Sequence, residues 1–247
     1  MKHVVIVGAS SGIGYRAAEI MASNGCKVGV AARKTDSLKN LKLKYPDFVE
    51  YMHIDITESN ASDRLLELID IIGGMDVYFH VAGIGYDNPE ILPERDFEIV
   101  NTNSCGFVKM VCTAYKYFRD NRIKGHIAAV TSVAGTNGIG EMAAYSASKS
   151  MAQTYLVALE QLSNNEKSGI SFTDIRPGWI RTNFLKPGHK YVMEMPIDYV
   201  VSKMLKAIER KRRIAVIDWR WNIMMKLWRI VPNCLWVRLN ISCLFCK

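Results

Sequence analysis

The run Val4-Val5-Ile6-Val7, followed at once by Gly8-Ala-Ser10-Ser11-Gly12-Ile13-Gly14 and then by a helical pattern through Ala17, Ala18, Ile20 and Met21, constrains this chain most. Four consecutive apolar residues suit a strand buried on both faces. The glycines let backbone approach another surface, and free N–H groups at the helix start face an anion, so the unit suits a pyrophosphate. The spacing is G-x-x-x-G-x-G rather than the commoner G-x-G-x-x-G, so the strand–turn–helix context carries the reading. A tight turn with close helix packing would use the same residues, and that alternative stays open at this point.

The rest of the chain repeats the alternation. Strand patterns follow at Lys27 to Ala32, Phe48 to Ile54, Asp76 to Val81, His126 to Val130, Gly169 to Ile175 and Ile214 to Ile217. Helical patterns lie between them at Leu38 to Tyr45, Ala61 to Ile72, Phe97 to Phe118, Tyr145 to Leu162 and Ile197 to Glu209. This order predicts an α/β fold, a doubly wound parallel sheet of about seven strands with right-handed crossovers and ligands beyond the carboxyl ends of the strands. A chain of 247 residues accommodates it as a single domain. The predicted division is one α/β domain with the glycine turn over residues 1–217 and a basic amphipathic appendage over 218–247. Asn101, Asn103 and Ser104, inside the long fifth-strand-side helix, are expected to face solvent or bond backbone.

Charge narrows the class of partner. The formal net charge is +8, yet residues 201–247 hold eleven Lys and Arg against Glu209 and Asp218, so the first 200 residues are close to neutral. Basicity confined to one terminal segment points to a local surface rather than to nucleic acid. After Met1-Lys2-His3 the chain enters its first strand without a leader, and its six cysteines are scattered, so thiols in the cytoplasm are expected. Cys243 and Cys246 form a lone C-x-x-C without a second pair or nearby His, and no metal site is expected.

Reactive side chains concentrate between Thr131 and Lys149. Ser132 closes the apolar strand at 126–130, and Tyr145 and Lys149 share one helix face at i, i+4 spacing. An ammonium near a phenol lowers its ordinary pKa of about 10 and makes it usable as an acid or base. Tyr199 and Lys203 repeat the spacing, but the residue thirteen positions upstream is Lys186, where Tyr145 has Ser132. Only the first pair therefore offers two hydroxyls to one substrate oxygen. Arg33 follows the second strand with no carboxylate before Asp36, which suits a ribose 2′-phosphate better than a free 2′-hydroxyl, with Arg16 as a second contact. Pro177 and Gly178 end the sixth strand in a turn that makes another edge of the crevice.

With these motifs in this order, residues 3–217 resemble the short-chain dehydrogenase/reductase family. The resemblance implies that Gly8, Ser10, Ser11, Gly12, Ile13 and Gly14 cradle a pyrophosphate, that Arg33 meets the adenosine phosphate, and that Asp55 and Ile56 contact adenine. Ala82 and Gly83 match the second half of the family's Asn-Asn-Ala-Gly, whose first half is His80-Val81 here. Asn103, with Gly106 three residues on, matches the family's catalytic Asn, and Ser132, Tyr145 and Lys149 complete its tetrad. Pro177, Gly178, Ile180 and Thr182 match the segment at the nicotinamide end. The implied activity is NADPH-dependent hydride transfer between nicotinamide and a carbonyl or alcohol, by a homo-oligomer. Tyr145 would supply the proton, Ser132 would polarise the oxygen, Lys149 would bind ribose and lower the Tyr145 pKa, and Asn103 would hold a water. A sensor or scaffold that binds nucleotide without turnover is the alternative.

Two segments bear on substrate and location. A short covering loop with Phe184, Leu185, Tyr191, Val192, Met193 and Met195 suggests a hydrophobic small-molecule carbonyl. Beyond Trp219, Asn222, Lys226, Arg229 and Asn233 recur among Trp, Ile, Met and Leu up to a break near Pro232. Such a basic amphipathic helix is too charged to span a membrane. It suits the plane of an anionic membrane surface through residues 219–247, on the inner face of a membrane, or packing on a second subunit or over its own active site.

Overall fold

A computed structural model describes residues 2–182 and 191–241 of the chain. An interior strand, β1 (His3–Val7), sends Val4 and Ile6 into one apolar core and Val5 and Val7 into another. The run is continuously apolar because helices cover both faces. The other strands are β2 (Lys27–Ala32), β3 (Val49–His53), β4 (Val77–His80), β5 (His126–Val130), β6 (Ser171–Pro177) and β7 (Ile214–Ile217). All pair in parallel, in the order β3-β2-β1-β4-β5-β6-β7. The expected doubly wound seven-stranded sheet is therefore present.

The helices are α1 (Gly12–Ser23), α2 (Asp36–Lys44), α3 (Ala61–Ile72), α4 (Pro93–Val100), α5 (Phe107–Asp120), α6 (Ala143–Glu166), α7 (Ile197–Glu209), α8 (Trp219–Ile230) and α9 (Asn233–Trp236). Side chains of α1, α2, α7 and α8 fill the first core, and those of α3, α5 and α6 fill the second. The helix expected from Phe97 to Phe118 begins earlier, at Pro93, and is not uniform. Residues Asn101–Gly106 widen into a π-helical turn between α4 and α5. Such turns insert one extra residue per turn and re-aim the side chains within them.

The break at Pro232 falls where the sequence places it, between α8 and α9. Trp221, Met225, Trp228, Trp236 and Ile241 enter the same core as Val4 and Ile6. The segment after Ile217 is thus packed into the main body through one face.

The turn after β1 depends on a missing side chain. Gly8 has φ +94°, and a Cβ there would lie 2.3 Å from the backbone nitrogen of Ala82. Backbone on both sides leaves nothing to rotate away. Gly8→Ala is expected to cost about 3 kcal/mol or more, a Tm drop of roughly 6 to 12 °C for a chain of this size. A thermal melt within about 2 °C of the parent would show that the turn relaxes.

Candidate active site

The direction of winding reverses between β1 and β4, and a crevice of about 490 Å³ opens beyond the carboxyl ends of the strands there. Its first wall is the glycine turn, with Gly8, Ser10, Ser11, Gly12 and Ile13 lining it. Gly14 is one layer behind, where a Cβ would lie 2.2 Å from the Gly8 carbonyl oxygen. α1 has no acidic residue in its first turn, and the Ser11 side chain does not cap it, so its leading N–H groups can meet an anion. The bare backbone at Gly8 and these donors fit a pyrophosphate.

Arg33 continues the wall beyond β2, and Lys34, which the sequence reading passed over, lines it too. Both are exposed. Arg16 does not join them: its guanidinium bonds Glu19 and Asp198, the latter at 2.7 Å. Asp55 and Ile56 also line the crevice, and the Asp55 carboxylate accepts the Thr57 N–H at 2.9 Å and hydroxyl at 2.7 Å. Ala82 and Gly83 sit at the middle, and Pro177, Gly178, Ile180 and Thr182 form the opposite edge.

Ser132, Tyr145 and Lys149 converge in this crevice. Ser132 caps a single 3₁₀ turn at Val133–Gly135, its oxygen accepting the Ala134 N–H at 3.1 Å. That leaves the hydroxyl proton free to donate. The Ser132 hydroxyl acts on the Tyr145 phenol of α6, drawing its pKa down. Lys149, one turn further on, donates to the Val130 carbonyl at 3.1 Å and lies 5.6 Å from the Tyr145 ring centroid.

The electrostatics differ from the sequence expectation. Burial pushes the Tyr145 phenol up to about 12, against the opposing effect of the Ser132 hydrogen bond. Lys149 stands over the ring rather than at the phenolic oxygen, and burial brings its own pKa down to about 8, with Asp174 acting in the opposite sense. In this state the proton belongs to the tyrosine. Tyr199 and Lys203 show how little the shared spacing means, for their ring-to-ammonium distance is 5.4 Å on α7, outside the crevice.

Asn103 lies in the widened turn and is buried. Its amide accepts the Ile84 N–H at 2.8 Å and donates to the Ile84 carbonyl at 2.7 Å and to Ser148 Oγ at 3.2 Å. It does not line the crevice itself; it clamps the segment after β4, and its Oδ1 and the Lys149 ammonium both face Gly83. His80 is structural. Its Nδ1 and the Tyr78 hydroxyl are 2.8 Å apart, and its ring meets Phe107 edge-on. Burial, then the Lys149 charge, push its pKa down to about 3, so it stays neutral.

A buried ionic network lies behind Ser132. Asp174 accepts the Thr131 hydroxyl at 2.5 Å and the Arg176 guanidinium at 2.6 and 2.7 Å, while Gln153 donates to the Ser132 carbonyl at 2.7 Å. A carboxylate and a guanidinium two positions apart, hence on one face of the strand pattern Phe172-Thr-Asp-Ile-Arg176, are the signal that could have found it. Ile139, Met142, Trp179, Trp221 and Trp228 also line the crevice. Of the expected covering loop, Met195 is buried in the core, Tyr191 packs on Trp179 at 4.7 Å between ring centroids, and the Met193 carbonyl accepts the Trp221 indole N–H at 3.4 Å. Phe184, Leu185 and the Cys243–Cys246 pair lie outside the described residues. Among the described residues no cluster of three metal-ligating side chains occurs.

The short chain dehydrogenase family matches residues 2–190. An uncharacterized oxidoreductase of Myxococcus xanthus is 29% identical over 241 residues, 93% of this chain and 92% of its own length. An uncharacterized oxidoreductase of Listeria monocytogenes is 30% identical over 75% of this chain and 77% of its own. Two solved structures share the fold. A short-chain dehydrogenase from Streptomyces avermitilis superposes with a TM-score of 0.79 at 20% identity, covering 92% of each chain. A 3-ketoacyl-(acyl-carrier-protein) reductase from Brucella melitensis, complexed with NADH, gives 0.78 at 21% identity over 88% of this chain and 96% of that one.

Proposed function

The chain belongs to the short chain dehydrogenase family, and from that membership we propose that it is an NADPH-dependent reductase of hydrophobic ketones or aldehydes. The observation that carries the reading is that Ser132, Tyr145 and Lys149 line one crevice together with the glycine turn. Gly8, Ser10, Ser11, Gly12 and Ile13 would hold the dinucleotide's pyrophosphate, with Asp55, Ile56, Ala82 and Gly83 along its length and Pro177, Gly178, Ile180 and Thr182 at the nicotinamide. When bound, the cofactor supplies the hydride; the remaining work falls to the protein.

Ser132 and Tyr145 donate to one carbonyl oxygen and draw electron density onto it. Tyr145 keeps its proton through the neutral range and passes it to the oxygen as the alkoxide forms. The Lys149 ammonium steadies the phenolate left behind and offers donors to the ribose. Asn103 holds the Ala82–Ile84 segment in place beside them, and the wall of Ile139, Met142, Trp179, Trp221 and Trp228 favours an apolar substrate and excludes water. Homo-oligomeric assembly and residence in the cytoplasm belong to the same proposal, on the strength of family resemblance and sequence. NADPH consumption with a panel of hydrophobic ketones and aldehydes tests the activity. No turnover on any of them would overturn it.

Cofactor choice rests on Arg33 and Lys34, two exposed cations at the adenosine end with no carboxylate between β2 and Asp36. Each charge-assisted hydrogen bond to a phosphate contributes roughly 1.5 to 3 kcal/mol. The double substitution Arg33→Ala/Lys34→Ala is therefore expected to weaken NADPH binding about 30-fold or more and leave NADH within about threefold. Nucleotide fluorescence titration reads both, and a parent protein that binds NADH more tightly would remove the argument.

A further inference from the structure

We infer that the outward face of α8 is a docking surface for an anionic lipid bilayer. The helix is apolar on two sides. Trp221, Met225 and Trp228 face inward and are buried. Trp219, Ile223, Leu227 and Ile230 face the other way, with exposures of 69%, 49%, 55% and 75%. Spacings of four, four and three put these last side chains in one stripe along the helix. Leu235, Val237 and Leu239 continue the exposed apolar surface beyond Pro232.

At about 100° per residue, Lys226 and Arg229 fall on one margin of the stripe and Arg220 on the other. Arg220 is held by Asp218 at 2.9 Å, whereas Lys226, Arg229 and Arg238 are exposed and form no ion pair among the described residues. A stripe of Trp, Ile and Leu bordered by free cations is the pattern of a helix lying in a headgroup layer. No described helix is long and apolar enough to cross a membrane, so the contact is with the surface.

Charge decides between a bilayer and a second copy of the chain. A two-fold contact through this stripe would bring Lys226, Arg229 and Arg238 toward their own equivalents. The acidic residue nearest in the chain, Asp218, is already engaged with Arg220. Anionic lipids complement the same charges. The inner face of this helix lines the crevice through Trp221 and Trp228, so docking sets one wall of the substrate end against the bilayer and favours membrane-dissolved carbonyls. That last clause rests on the reductase reading; the docking does not.

The test uses the full chain without nucleotide, sedimented with vesicles of phosphatidylglycerol and phosphatidylcholine or of phosphatidylcholine alone. The parent should pellet with the anionic vesicles and lose roughly tenfold or more of its binding on phosphatidylcholine or in high salt. Ile223→Ser/Leu227→Ser should lower partitioning about tenfold or more, with Tm and NADPH binding unchanged because both side chains face outward. Lys226→Gln/Arg229→Gln should weaken binding to the anionic vesicles by roughly tenfold. A parent that stays in the supernatant, or an apolar-face variant that pellets as well as the parent, overturns the proposal. So does an apolar-face variant that turns a dimer into a monomer on size exclusion while vesicle binding is unchanged, which would give the face to a second copy. NADPH turnover in solution, measured on the same samples, keeps failure here separate from failure of the enzymatic reading.

Discussion

Tyr145→Phe is expected to lower kcat for carbonyl reduction by about 10³-fold while NADPH binds within about twofold of the parent affinity. The substitution removes one oxygen, the proton donor, and leaves the ring that packs near Ile139 and Met142 in place. Ser132 keeps its bond from Ala134 and can still polarise the substrate, so some turnover should persist. With the phenol near 12, reduction should not decline through tyrosine ionisation anywhere in the neutral range. Single-turnover kinetics and nucleotide titration separate the chemical step from binding. Equal rates in parent and variant on every carbonyl tested would favour a nucleotide-binding sensor that does no chemistry.

Lys149→Met is expected to lose activity by about 10²-fold or more and yet to melt higher than the parent. An unfolded lysine titrates near its ordinary value of 10.5, and in the fold burial brings Lys149 down to about 8. Below pH 8 both states are protonated and the fold carries the full burden of a desolvated ammonium. Between about 8 and 10.5 the unfolded chain holds the proton and the folded one does not, so this group's contribution to stability rises with pH. At neutral pH the variant should gain about 2 to 3 kcal/mol, less whatever the Val130 carbonyl loses with its donor. That corresponds to a Tm higher by roughly 4 to 12 °C, and the advantage should vanish by about pH 10.5. Carbonyl reduction by the parent should fall as pH rises through 8, since the ammonium is the form that steadies the phenolate. Melting curves across pH for both proteins decide it, and a variant less stable than the parent at neutral pH would mean that Lys149 is held by more than it is desolvated.

Much of this was legible because it is local. A continuous apolar run marks a doubly covered strand, the Gly8 to Gly14 turn marks a close approach, and thirteen residues from Ser132 to Tyr145 fit a strand end followed by a helix. What was not legible depends on which face of an element meets which neighbour. Arg16 reads as a phosphate contact until Asp198, far along the chain, takes its guanidinium. Lys149 reads as an activator of the phenol until burial lifts one pKa and lowers the other. α8 reads as one amphipathic face because its polar residues recur at helical spacing. Only the fold shows apolar side chains on both sides of them. Asp174 and Arg176 could have been paired from the strand pattern alone, but their tie to Ser132 through Thr131 and Gln153 needed three distant segments side by side.

The indole of Trp221 lies so close to Gly178 that a Cβ there would sit 2.0 Å from a ring atom. The turn after β6 is therefore shaped by a residue 43 positions later in the chain, beyond β7. The glycine turn and β1 to β4 precede that indole by well over a hundred residues in the chain, yet the two meet in one crevice. A chain that stops short of α8 therefore lacks the indoles of Trp221 and Trp228 that line the crevice.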